Sequence, residues 1–138
     1  MISTSNTTQF ATLTSTYVKV KLASGLSANT QTSLFTGDAK ASVITDILFR
    51  SKDGTNARNF DIFIGNTSDP AVQVVIPANA GNNGIVSLAS LAALCPQLFD
   101  LDLNGNRVIL IESGIIIYAT NIAALTADVI ITLKTKGF

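Results

Sequence analysis

The chain has 138 residues, nine basic and nine acidic, with no histidine and a single cysteine, Cys95. That length suits one domain that buries a core without metals or disulfides. The missing histidines remove the usual zinc ligand and general base, and the cancelled charge removes the footprint of a nucleic-acid binder. Only 13% of residues are charged and 47% are hydrophobic, where about a quarter charged is typical, so the surface is sparsely charged and self-association is expected ahead of a solitary monomer.

The first segment, "MISTSNTTQFATLTS", carries almost nothing apolar apart from Ile2, Phe10 and Leu13. Residues 1–13 are therefore expected to form a polar arm that orders against a neighbour, and residues 14–138 a single β-sandwich domain. The start has neither a basic region nor an apolar core, so no secretory signal is expected and the chain reads as intracellular or assembled inside a cell. The longest apolar run, Ile85 to Cys95, is broken by serines and is shorter than the roughly 18 to 20 residues that span a bilayer, so no membrane segment is expected.

Beyond the arm, period two dominates. "TYVKVKL" sets Val18, Val20 and Leu22 on one face against Tyr17, Lys19 and Lys21 on the other, which is a half-buried strand. A turn-rich stretch follows, with a short strand near Leu34 to Thr36. "VITDILFR" and "RNFDIFIGN" flank "SKDGTNA" as a hairpin with a longer loop, and "AVQVVIP" adds another strand before "ANAGNNG" breaks the chain.

One helical interruption is expected near residues 87–95, where Leu88, Leu91, Ala92 and Cys95 fall at helical spacing. Ser87 is placed as its N-cap and Pro96 as its stop. Cys95 then reads as an inert apolar-face thiol. Further strand-like runs, "LFDLDL", "RVILIE", "GIIIYAT" and "ADVIITLKT", follow, and about eight strands are expected in total. The fold class is all-β, an antiparallel two-sheet sandwich of jelly-roll type with one short helix.

"DLDLNGNRVILIE" contains two incompatible signals. Asp100, Asp102, Asn104 and Gly105 match the first ligands and the turn glycine of a calcium-binding loop, but the twelfth position is Ile111 and Glu112 comes one residue late. The flanks are strand-like and Asn-Gly favours a two-residue hairpin turn, which would pair Leu101 with Val108, Phe99 with Leu110 and Asp102 with Arg107. The hairpin is the expected form, with no metal and no cofactor. In that register Ile109 and Ile111 point outward beside the two-sided strand that holds Ile115 and Ile117. These four and Phe10 of the arm are the expected interface residues.

Other candidate chemistry is thin. Asp46, Asp53, Asp61, Asp69 and Asp128 are scattered singly and read as exposed turn or sheet-face residues. "GNNG" lacks the Lys and Ser/Thr of a phosphate loop. "NTT" at Asn6 and "NTS" at Asn66 match the glycan acceptor pattern by composition, and no glycan is expected. An enzyme is not expected.

The runs "FDIFIGN", "VVIPANAGNNGIVSLASL" and "NGNRVILIESGIIIYATNIAALTADVIITLKTKGF" resemble small β-sandwich virion proteins of tailed bacteriophages, namely head-decoration or cement proteins and related capsid-associated or neck components. The resemblance covers roughly the last 95 residues and rests on the order of hairpin, Pro/Gly-marked loop, helical stretch and final strand pair. It implies a virion subunit assembled in the host cytoplasm, a homo-oligomer (a trimer among its forms) that binds a major capsid or other virion protein. Alternatives are a neck, tail or fibre component, or a carbohydrate- or receptor-binding module, which would want exposed Trp or Tyr; the chain has no Trp.

Overall fold

The computed structural model describes residues 16–137. The expected arm at 1–13, with Phe10, lies outside the described residues.

Among the described residues ten strands follow in chain order: β1 (Thr16–Leu22), β2 (Gln31–Thr36), β3 (Ser42–Ser51), β4 (Arg58–Ile64), β5 (Val72–Ile76), β6 (Ala89–Ser90), β7 (Asp100–Leu101), β8 (Arg107–Ile111), β9 (Ile116–Asn121) and β10 (Val129–Gly137). One sheet runs β1-β10-β3-β8-β7 with β6 also on β3, and the other runs β2-β9-β4-β5. All pairings are antiparallel. The chain changes sheet at every step among its longer strands except β4 to β5. Leaving out the two-residue strands, the orders β1-β10-β3-β8 and β2-β9-β4-β5 are those of an eight-stranded jelly roll. The expected fold class is therefore the observed one.

Alternation builds the core between the sheets. Ile44, Ile47 and Phe49 from β3 and Val129, Ile131 and Leu133 from β10 meet Phe60 and Ile62 from β4 and Ile117 and Ala119 from β9, and all are buried. The rings of Phe49 and Phe60 lie 5.9 Å apart and join the two sheets. Ile44 and Ile47 both point inward although they differ in parity, because a bulge resets the phase. Asp46 pairs with Lys134 and Ile44 with Thr135, which leaves Thr45 unpaired.

The structure corrects two local expectations. β3 and β4 belong to different sheets, so "SKDGTNA" is a crossover and not a hairpin loop. The helix α1 spans only Leu91–Leu94 and is capped by Ser90, whose hydroxyl accepts the Ala93 N–H. It cannot begin at Ser87 because Ala89 and Ser90 pair with Phe49 and Leu48 as β6. Asp46 reinforces the start: its Oδ2 accepts the Ser90 hydroxyl at 2.6 Å and its Oδ1 the Ala92 N–H at 3.1 Å. A turn of 3-10 helix, Pro96–Leu98, follows, and Cys95 between the two is half-buried and packs against the core.

Candidate interaction surface

The β7–β8 hairpin is where the sequence placed both its candidate metal loop and its candidate interface. The hairpin forms, but its loop is one residue longer than an Asn-Gly turn requires. The Gly105 N–H donates to the Asp102 carbonyl at 3.0 Å and the Asp102 N–H to the Asn106 carbonyl at 2.9 Å. Gly105 has φ +79°. This is a three-residue loop, Leu103 to Gly105, made of a turn followed by a left-handed glycine. The Asp102 side chain drives that choice: its Oδ1 accepts the N–H of Asn104 at 2.9 Å and of Asn106 at 2.8 Å. The carboxylate that would have been a calcium ligand organises the turn.

One extra loop residue reverses the faces of β8. Leu101 pairs with Arg107 and Asp100 with Val108, in place of the expected pairs. Ile109 (8% exposed) and Ile111 (1%) consequently lie in the core, not on the outer face. Ile117 is fully buried there too, and Ile115 is half-buried against the same cluster. None of these four is the exposed apolar residue the sequence suggested. The exposed apolar positions on this hairpin are leucines: Leu101 at 68%, Leu103 at 90% and Leu110 at 55%. Leu103 stands at the tip, Leu101 at the strand end, and Leu110 on the outer face of the sheet. The signal that could have found them is the "DxNGN" pattern, in which an aspartate ahead of Asn-Gly competes for the turn and lengthens it.

The main ionised cluster lies at the β3–β4 crossover. Asp53 is 4% and Arg58 8% exposed, which corrects the reading of Asp53 as an exposed turn residue. Position 58 shares the inward parity of Phe60 and Ile62, so an arginine enters the end of the sandwich and requires an anion. Asp53 Oδ2 accepts Arg58 Nε at 2.9 Å, Arg58 Nη2 at 2.7 Å and the Thr126 hydroxyl at 3.2 Å. Its Oδ1 accepts the Thr55 N–H, the Thr55 hydroxyl and the Asn56 N–H. Arg58 Nη1 donates to the Ala124 carbonyl at 3.2 Å. These donors, led by the Thr55 and Asn56 backbone N–H groups and opposed by burial, hold the Asp53 carboxyl well below the usual carboxylate range. Every lone pair of Asp53 is committed, so it anchors the crossover to the β9–β10 connection rather than exchanging protons.

Asp46 is likewise tied, to α1, and Asp128 accepts the Ser24 N–H at 2.8 Å and faces Lys21 at 3.4 Å. The Ser24 N–H, ahead of the Lys21 contacts, lowers the Asp128 carboxyl. Asp61 accepts the Gln73 amide at 2.8 Å. Among the described residues no three His, Cys, Asp or Glu side chains converge as a metal site, and no helix is long and apolar enough to cross a membrane.

The fold and this surface define a jelly-roll sandwich whose β7–β8 hairpin exposes three leucines. No family model matches the chain, and no curated protein is significantly similar to it.

Proposed function

We propose that the chain is a non-enzymatic structural subunit of a bacteriophage virion, a decoration or cement protein that works by self-assembly and by binding a capsid lattice. The observation that supports this best is the hairpin, which presents Leu101, Leu103 and Leu110 to solvent on a molecule with only nine charges of each sign. Three of the eight large apolar side chains exposed among the described residues belong to this one hairpin, which makes it the best candidate for a contact surface. Burying each leucine against a partner is worth about 1.5 to 3 kcal/mol, so three of them shift association by orders of magnitude. Jelly rolls recur in capsid proteins, although they also carry other functions. In this reading the partners are further copies of the chain and a major capsid or other virion protein, and the chain resides in the virion after assembly in the host cytoplasm.

Sedimentation velocity on the purified chain tests the assembly step. A homo-oligomer is expected, a trimer among its forms, and the triple variant Leu101→Ser, Leu103→Ser, Leu110→Ser should sediment as a folded monomer. A monomeric parent chain, or an oligomer indifferent to the triple variant, would overturn it. Peptide mass spectrometry on purified phage particles encoding the chain should recover it in many copies, and its absence from them would overturn the virion assignment.

A further inference from the structure

Behind the hairpin, on the outer face of the β1-β10-β3-β8 sheet, lies an open groove of about 610 Å³ whose lining includes Tyr17, Val43, Arg107, Val108, Lys134 and Lys136. Strand parity makes it. Val129, Ile131, Leu133 and Thr135 of β10 are buried, so Lys134 and Lys136 emerge on the opposite face. Their cross-strand neighbours are Tyr17 and Asp46 for Lys134 and Val43 for Lys136. The hairpin loop supplies the facing wall with Arg107.

The groove gathers three of the nine basic residues of a sparsely charged chain. Asp46 is the natural counter-ion of Lys134, its direct cross-strand partner, but its oxygens are turned away. One accepts the Ile47 and Ala92 N–H groups and the other the Ser90 hydroxyl. Asp102 commits one oxygen to its own loop. The two ion pairs found among the described residues, Lys21 with Asp128 and Arg58 with Asp53, involve none of the three groove cations, although Arg107 Nη1 donates to the Pro96 carbonyl at 3.3 Å. The floor is different in kind: Val43 is buried there, Val108 is half-buried, and the Tyr17 ring stands over it at 62% exposure.

We propose that this groove docks an acidic, extended segment of a partner protein, whose carboxylates bridge Lys134, Lys136 and Arg107 while an intervening side chain lies on Val43, Val108 and Tyr17. Charge complementarity selects the occupant. The apolar floor fits the side chains of a peptide, and three cations at one site fall short of the extended basic track that a nucleic-acid backbone requires. Residues 1–15 of the chain contain no charged side chain, so the groove has no complement in that segment. This proposal deepens the lattice-binding reading and rests on it for the partner's setting, while the binding is measured on the isolated chain.

The test is isothermal titration calorimetry of the full chain with capped hexaglutamate, alongside capped hexaserine, sodium sulfate and an oligothymidylate. Saturable binding to hexaglutamate alone is expected. It should weaken by at least about tenfold in Lys134→Glu with Lys136→Glu and fall as salt rises from about 50 to 500 mM. The variant Lys19→Glu with Lys21→Glu, which reverses two lysines of β1 outside the groove, should bind as the parent does. Circular dichroism confirms that both variants fold. Absence of saturable binding, equal binding by sulfate, tighter binding by oligothymidylate, or equal loss in the two variants would overturn the proposal. If hexaglutamate fails to bind while the chain still sediments as an oligomer that the leucine variant breaks, the groove proposal falls and the assembly reading stands.

Discussion

Leu101 lies opposite Arg107 across the β7–β8 hairpin, one residue away from the partner that a two-residue turn would give it. That single step decides which side of β8 is core. Ile109 and Ile111 face inward and Leu110 outward, so the two classes of substitution should separate cleanly. Ile111→Ala removes fully buried methyl groups and should cost about 2 to 5 kcal/mol, and Ile109→Lys with Ile111→Glu should leave an unfolded chain. Leu110→Lys should stay folded with a melting temperature close to that of the parent. Thermal denaturation followed by circular dichroism reads all three, and a folded double-charge variant would return the isoleucines to the surface.

The loop itself makes a second prediction. Gly105 has φ +79°, and nothing lies within 4 Å of the place a Cβ would occupy, so Gly105→Ala suffers from backbone conformation alone and should cost about 1 kcal/mol. Deleting Leu103 would leave Asn104-Gly105 as a two-residue turn closing the existing Asp102 to Asn106 pair, with the pairing of Leu101 and Arg107 unchanged. That deletion should be tolerated to within about 1 kcal/mol. Urea unfolding midpoints compare the two, and a deletion that unfolds the chain would show that the three-residue loop is required by the fold.

What the sequence made legible was parity, and what it hid was partnership. The alternation of Val18, Val20 and Leu22 with Tyr17, Lys19 and Lys21 survives intact in β1, because a strand with one buried face writes its period directly into the chain. The same alternation is blind to sheet membership. β3 and β4 read as hairpin arms because a loop of that length serves a hairpin or a crossover equally, and nothing in its residues names the strands that β3 and β4 pair with. The helix starts later than its spacing suggests because Leu88, Leu91 and Cys95 have helical spacing while Ala89 and Ser90 have a strand partner in β3. At the hairpin, residue type was informative and count was not: Asp102 shifted the register by one, and the apolar surface moved from isoleucines to leucines.

The crossover anchor gives an asymmetric pair of substitutions. Asp53→Ala strands the Arg58 guanidinium at the end of the core and removes the acceptor of the Thr55, Asn56 and Thr126 donors. It should cost about 3 kcal/mol, the lower end for a broken buried pair because solvent lies close by. Arg58→Met leaves Asp53 its backbone donors and should cost less. Acid should act on the same anchor. The Asp53 carboxyl is lowered in the folded chain from an ordinary value of 3.8, so its stabilising contribution is complete at neutral pH and is lost as pH falls below about 4 toward the lowered value. Urea midpoints measured from pH 7 to pH 2 should therefore drop below pH 4 in the parent and drop less in Asp53→Ala. An equal acid response in both chains would assign the acid sensitivity elsewhere.

Gly37 joins the end of β2 to the β8–β9 turn, at the opposite end of β8 from the Asp102 to Asn106 loop. Its N–H donates to the Ile115 carbonyl at 2.8 Å, and its carbonyl accepts the Gly114 N–H at 3.1 Å. A Cβ placed on Gly37 would strike the Glu112 carbonyl and sit 3.0 Å from Ile111 Cγ2. The obstacle is main chain held by those two hydrogen bonds, so it cannot swing aside as a side-chain end would. Gly37→Ala should cost about 3 kcal/mol by prising the turn from β2, with Ile111 losing its packing in the process. Gly54→Ala is the control: a Cβ there meets only Asn79, with Oδ1 nearest at 3.5 Å, and the change should lie within about 1 kcal/mol of neutral. Denaturant melts of the two variants decide the matter, since equal stabilities would mean that the β8–β9 turn yields freely and does not fix the end of the sandwich.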